Sequence, residues 1–484
     1  MAKTKKINKQ IDIFTAVTAF TTAGLLLLSA LTMGLANLIF NNQFYANISV
    51  SALLEQGIGI LGAYMSAGSV LSGIIIFMIV SLTFYAVLVI SDKSVKIVKI
   101  TVIGVFVGFL MRGLSLILWN LPQTSDFRIN YELAELVSTI PIGYWGKFLH
   151  EQNILYTGVW SAHMPFIIYQ SLMIKSGISL GFLNAVYGTA SCVFTALTAK
   201  ELFGKKAYTA ALFIMVLNPL QILFTPVLSN QHIAVMFFTA SIWVIIKLKG
   251  YAGAAIGALL MAKSQIFRPE MYVAVIGVIL FYALTSLKSK NKKPAIIQAV
   301  IFAVTFMAVI IACDLIFRGM GLISGHIFSG NLGYKICVGL NHASGGGWNE
   351  ADSMLIYSPE LIKSTLPERI FQKGNIPHML QKIMYQFGSY VYPWILDSTN
   401  APEFSDVICR RAVSAYMITV SAIASLKLFT DKKNRLKLFP LFIIILGYMA
   451  VFSVIEVQAR YNYFIIPILT VLASDIQIKK VKGD

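Results

Sequence analysis

The sequence predicts an all-α, polytopic membrane protein, and three observations carry that prediction. Of its 484 residues, 57% are hydrophobic and only 12% are charged, where a soluble chain carries about 25% charge. The apolar residues gather in blocks of about 20, the length at which a helix crosses a hydrocarbon core. Within each block they are continuous, not alternating, which excludes the period-two pattern of a membrane barrel and leaves helices as the spanning structure. Mean hydropathy is +0.74.

In chain order the apolar segments cover 12–39, 68–91, 100–119, 156–175, 178–197, 204–222, 229–247, 250–263, 269–286, 296–316, 405–427, 438–455 and 459–475. The first is too long for the hydrophobic region of a secretory signal and reads as a retained span. The segment 250–263 is short, and 48–66 and 383–397 are apolar enough for half-spans. Lysine clusters flank the spans: "MAKTKKINK" opens the chain, "SDKSVKIVK" occupies 91–99, "SLKSKNKK" 286–293 and "TDKKNRLK" 430–437, and "IQIKKVKGD" closes it. The positive-inside rule puts these clusters on the cytoplasmic face. It also accounts for the net charge of +18 without nucleic acid as a partner. Two lysine-rich termini on one face demand an even number of crossings. Thirteen segments break that parity, so one of them, between 150 and 265 or among the short ones, does not cross. The same rule brings 120–153, 317–404 and 456–462 together on the outer face. Cys192, Cys313, Cys337 and Cys409 are scattered and suggest neither a metal knuckle nor a disulfide framework.

The stretch "SDFRINYELAELV", 125–137, is too polar for lipid and too rich in Leu and Ala for a plain linker. Asp126 follows a span closely, and a carboxylate near the membrane surface can take a proton-accepting role. Glu132 and Glu135 share a helical face and are possible secondary acids; Leu133 and Leu136 suit the interface. The plainer reading is a set of solvated acids on an interfacial helix. "RYNYFIIP", 460–467, puts Arg460 and Tyr461 at the outer mouth of the last span. An arginine fork suits phosphate, or the residue snorkels within an aromatic belt. "KSQIFRPEMY", 263–272, sets Lys263, Arg268 and Glu270 between apolar segments. Pro269 suits the first turn of the next helix. Charge so near the hydrocarbon is expensive and points to function, against the alternative of an Arg–Glu pair capping a loop.

"LNPLQILFTPVLSNQH", 217–232, has two prolines and a polar end, Ser229 to His232, and reads as a break between helices lining a cavity. Histidines 150, 163, 232, 326, 342 and 378 contain no i, i+4 pair, so no metal site is predicted, and a divalent metal stays possible but unsupported. "GLNHASGGGWNEADS", 339–353, matches no phosphate-loop or dinucleotide pattern. Its glycines 345 to 347 permit unusual backbone angles. Asn341, Trp348 and Asn349 make it a candidate substrate or acceptor loop, with Trp348 stacking on a sugar or anchoring the loop.

Four of these elements, in this order, resemble a known family. They are "SDFRINYELAE", the block from "LYTGVWSAHMPFIIYQSLM" to "LNPLQILFTPVLSNQ", "RPEM", and "EVQARYNYFIIPILTVLAS". The chain resembles the GT-C fold membrane glycosyltransferases, in particular the bacterial family 39 branch related to protein O-mannosyltransferases and aminoarabinose (lipid A) transferases. The resemblance covers about 97–475. It implies a GT-C-like bundle of about 12–14 transmembrane helices with large extracytoplasmic loops. The divisions would be an added hairpin at 1–96, a core at 97–316 with its catalytic loop at 120–153, an outer region at 317–404, and C-terminal helices with a basic cytoplasmic tail at 405–484. It further implies a multi-pass protein of the bacterial cell membrane, both termini cytoplasmic and the active site outside. The donor would be a polyprenyl-phosphate sugar, and no cofactor beyond it is certain. The acceptor would be an envelope glycan, a lipid or a protein. By resemblance the acceptor's proton goes to Asp126, and Arg460, Arg268 and Lys263 hold the lipid phosphate. Relatives often place an acid where this chain has "SNQH"; Asn230 and Gln231 cannot act as bases. A transporter or flippase of lipid-linked sugar is the chief rival, and it would show paired repeats with matching broken helices; no internal repeat stands out. A surface polysaccharide polymerase is the next reading, and an accessory membrane subunit the last.

Overall fold

The computed structural model describes residues 2–39, 67–91, 96–119, 122–151, 160–289, 291–328, 332–388 and 403–475. Among them every regular element is helical. Helix α1 (Ala2–Ser29) continues through a π-helical turn, Ala30–Gly34, into α2 (Leu35–Ile39). Then come α3 (Ala67–Ser91), α4 (Ile97–Leu118), α5 (Ser125–Ser138), α6 (Trp145–Glu151), α7 (Met164–Lys175) and α8 (Leu180–Phe203). The middle of the chain forms α9 (Lys205–Val216), α10 (Pro219–Phe224), α11 (Gln231–Lys247), α12 (Tyr251–Phe267), α13 (Tyr272–Lys288) and α14 (Lys293–Gly319). Between α14 and the last helices come α15 (Leu332–Gly339), α16 (Glu350–Ser353), α17 (Pro359–Ile370) and α18 (Asn375–Gly388). The chain closes with α19 (Glu403–Thr430), α20 (Arg435–Val454), a 3-10 turn over Ala459–Phe464, and α21 (Ile465–Ala473). Seven helices among the described residues are long and apolar enough to cross a membrane, and three shorter apolar helices accompany them. This is a multi-pass membrane protein.

Helix ends follow local chemistry. Ser179 caps α8 by accepting from the Phe182 amide at 3.3 Å, and Gly204, at φ +96°, ends it. Asn218 caps α10, its Oδ1 accepting from the Leu220 and Gln221 amides at 3.0 and 3.3 Å, with Pro219 at the first helical position. The segment read as one span over 204–222 is therefore two helices, α9 and α10. Within the bundle α8 packs on α9 and α11, α11 on α12, and α1 on α19 and α20. In lipid such contacts depend on close packing and small residues rather than on expelling water. At Gly257 an added Cβ would stand 2.5 Å from Ile245 Cγ1, so α11 and α12 can touch there only because the side chain is absent.

The two ends of the bundle differ in chemistry. At one end Asp12 meets Lys288 at 2.5 Å, Glu201 meets Lys247 at 2.9 Å, and Lys427 meets Asp431 and Asp475 at 2.7 and 2.5 Å. Asp12 belongs to the first helix and Asp475 follows the last, so the described chain leaves and returns at the same end. Among the described residues this agrees with the even number of passages expected from the sequence. Helix α7, with 12 residues, is the α-helix described within 156–175 and is too short for a full passage. It packs along α5, and Lys175 at its end donates to the carbonyls of Ser138 and Ile140 at 2.9 and 3.3 Å. Its start, at His163, and the next helix, which begins near Leu116 on α4, lie at the same end of the bundle. The proposed half-span 48–66, most of 383–397, and the lysines at 93 and 479–482 lie outside the described residues.

Candidate functional site

At the end opposite the lysines, a cavity of ≈ 400 Å³ opens among α5, the α12–α13 turn, α15 and the segment after α20. Asp126, Arg268, Arg460 and Tyr461, all singled out from sequence, line it.

Asp126 sits in the first turn of α5. The residue before it, Ser125, has φ +51°, a left-handed conformation that costs a non-glycine residue about 1–2 kcal/mol. Such strain gathers at functional sites. Arg460, 5% exposed, donates through Nη2 to the Asp126 carboxylate at 3.3 Å. Burial pushes the Asp126 carboxyl up, but Arg460, His163 and Lys335 together outweigh it and hold the group below its ordinary range. The Arg460 guanidinium lies 5.0 Å from the Phe127 ring centre and 5.9 Å from that of Tyr461. His163 Nδ1 is 3.2 Å from the side-chain amide of Asn130, one turn along α5. Burial drives His163 down to about 4, against the pull of Asp126, so its ring is neutral at physiological pH.

Arg268 ends α12. Its Nε donates to Glu270 at 2.5 Å, its Nη1 to Asn230 Oδ1 at 3.3 Å, and its guanidinium lies 5.1 Å from the Tyr461 ring centre. Burial raises the Glu270 carboxyl despite Arg268 beside it. The Arg–Glu pair is thus both a loop clasp and part of the cavity wall. A third pair joins Lys335 of α15 to Glu456 after α20, with the amine 4.8 Å from the Trp160 ring centre. Backbone bonds fix this corner: Glu456 N donates to Lys335 O at 2.8 Å and Val457 N to Gly346 O at 2.9 Å. The walls alternate cation and carboxylate, with aromatic rings between. Such a site can hold an anion by exchanging its internal carboxylates for the ligand.

Other predicted residues lie elsewhere. Lys263 is exposed on α12, its amine 5.5 Å from the Phe237 ring centre, outside the cavity lining. Glu132 pairs with Arg128 at 3.4 Å and Glu135 accepts from the Tyr131 hydroxyl at 2.7 Å. Both are exposed, because the buried stripe of α5 runs through Phe127, Asn130, Ala134 and Val137. Asn341 and Asn349 both donate to Asp352, at 2.6 and 2.8 Å, and tie the loop 339–353 together. Trp348 is 59% exposed, and none of these three lines the cavity. Among the described residues no three of His, Cys, Asp and Glu gather to hold a metal ion.

Sequence reasoning missed Lys335, Trp160, His163 and Asn130 as wall residues. The available signal for Lys335 was one charge inside the apolar "LGYKICVG". No protein-family model, curated protein or solved structure matches the chain.

Proposed function

We propose that this protein is an inverting glycosyltransferase that moves a sugar from a polyprenyl phosphate to an acceptor hydroxyl in the cavity. The observation that supports it is convergence: Asp126 and Arg460, 334 positions apart, meet in one cavity with Arg268 and Tyr461. The lysine-rich end faces the cytoplasm by the positive-inside rule, which turns the cavity outward in a bacterial cell membrane. Envelope glycans, lipids and proteins are the acceptors within its reach.

In the reaction the bond from sugar C1 to the phosphate oxygen breaks, and its electron pair leaves with the phosphate. Arg460, Arg268 and Lys335 stabilise that developing charge. C1 passes through an oxocarbenium-like state. The acceptor oxygen attacks the opposite face, and its proton goes to Asp126. One displacement inverts the anomeric centre. Arg460 links the two halves of this chemistry. A phosphate drawing its guanidinium away from Asp126 removes the influence that holds the carboxyl low, and the carboxylate becomes a stronger base once the donor is seated.

The test uses purified protein in proteoliposomes with a polyprenyl-phosphate sugar radiolabelled in the sugar. Label moving to a hydroxyl acceptor, with release of polyprenyl phosphate, is the expected result. Label crossing the bilayer still attached to the lipid, without transfer, would establish a flippase instead.

A further inference from the structure

Asn230 and Gln231 stand at the start of α11, and each holds one of the two arginines. Asn230 accepts from Arg268 Nη1 at 3.3 Å and anchors itself by donating to the Phe267 carbonyl at 2.8 Å. Gln231 Nε2 donates to the main-chain carbonyl of Arg460 at 2.5 Å, while its Oε1 accepts from the Ser229 hydroxyl at 3.2 Å. Both side chains are buried, at 5% and 0% exposure. The two guanidinium groups face the same Tyr461 ring, 5.1 and 5.9 Å from its centre. Like charges brought to one ring repel, and Arg268 and Arg460 come from distant parts of the chain. The first turn of α11 bonds to both.

We infer that Asn230 and Gln231 are positioning residues that set the spacing of the Arg268 and Arg460 guanidinium groups for a phosphate-bearing ligand. This rests on reading the cavity as a lipid-phosphate site. The choice of amides has a physical reason. Asn230 orients a guanidinium by accepting from it while leaving its charge intact. A carboxylate at that position would join Glu270 as a second anion on Arg268 and compete further with the incoming phosphate.

The experiment measures binding of radiolabelled polyprenyl phosphate to the full chain in nanodiscs, with thermal unfolding recorded for each variant. Asn230→Ala should weaken binding about tenfold, the scale of one lost hydrogen bond to a charged group. In an Arg268→Lys background the same change should cost less than about twofold, because Asn230 acts through the fork that lysine lacks. Asn230→Asp, nearly isosteric, should weaken binding more than alanine by adding a second carboxylate to Arg268, which Glu270 already pairs. Gln231→Glu should also weaken it, since the carboxylate cannot donate to the Arg460 carbonyl. A tenfold loss from Asn230→Ala that persists undiminished beside Arg268→Lys would reduce Asn230 to a general packing role and overturn the inference. Unchanged binding in well-folded Asn230→Ala and Gln231→Glu variants would do the same while leaving the phosphate site standing. Failure of the wild-type chain to bind polyprenyl phosphate would remove the phosphate site and this inference together.

Discussion

Replacing Asp126 by Asn keeps volume and hydrogen-bonding capacity but removes the basic carboxylate. Sugar transfer should fall by about 10²–10⁴, the usual cost of losing a general base. Glu132→Gln is the control, since Glu132 is exposed and paired with Arg128; near-normal transfer by Asp126→Asn would end the assignment. Arg460→Lys keeps the charge and loses the fork, and should cost on the order of 2 kcal/mol in donor binding; wild-type donor affinity in that variant would rule out phosphate recognition by Arg460. The pH dependence follows from the same pair. In the free protein, against the effect of burial, Arg460 holds Asp126 below the ordinary carboxylate range, so the acid limb of kcat/KM should lie below that of an ordinary aspartate. The limb of kcat, which reports the bound complex, should lie at higher pH, because the donor adds negative charge and draws Arg460 away. Coincident limbs would show that Arg460 does not exchange partners. Asp126, Arg268 and Arg460 were legible in the sequence because each is a charge at the edge of an apolar block. Lys335 and Glu456 were not legible as a pair, because 121 positions separate them and no spacing rule joins them.

At the scale of elements, a buried amine joins the backbone and ion-pair contacts that fasten α15 to α18 onto the end of α20. Lys382 of α18 is 1% exposed and donates to the carbonyls of Gly339, Ser453 and Ile455 at 2.6, 3.0 and 2.7 Å. Its stem runs past Gly346, which has φ +78° and where an added Cβ would stand 2.6 Å from Lys382 Cε. Gly346 in turn accepts from Val457, next to Glu456. Lys382→Met should therefore leave buried carbonyls unpaired and destabilise the protein by on the order of 3 kcal/mol. Gly346→Ala should cost about 1–3 kcal/mol through its backbone angle alone. Thermal unfolding in detergent would read both, and a melting temperature unchanged in Lys382→Met would show that the amine does not fasten these segments. The sequence disclosed part of this level. Two prolines marked the break at 217–232, and three glycines marked a loop needing unusual angles. What it could not disclose was the division of labour inside the loop, where Asn341 and Asn349 serve Asp352 and Gly346 accepts from Val457 beside Glu456.

For the whole molecule the decisive quantity is the parity of passages, and α7 carries it. The apolar segment 156–175 looks long enough to span, but its helix has only 12 residues, about 18 Å at 1.5 Å per residue against a core of about 30 Å. Hydropathy alone cannot distinguish such a segment from a span, because α7 buries its apolar face on α5 and the turn after α14 rather than in lipid. Orientation can be tested at three exposed positions. Leu136 lies on α5 and Ile178 just beyond α7, 47% and 41% exposed; Asn434 lies among the opposite lysines. In a background with Cys192, Cys313, Cys337 and Cys409 replaced by serine or alanine, single cysteines at these positions would be treated with a membrane-impermeant maleimide on intact cells. Cysteines at 136 and 178 should react from outside, and the one at 434 only after permeabilisation. Labelling at 136 without 178 would make α7 a crossing helix and break the even count that Asp12 and Asp475 imply. The reverse pattern, with 434 alone reactive on intact cells, would turn the cavity toward the cytoplasm and defeat the outward-facing transferase while leaving the internal geometry of the cavity unchanged.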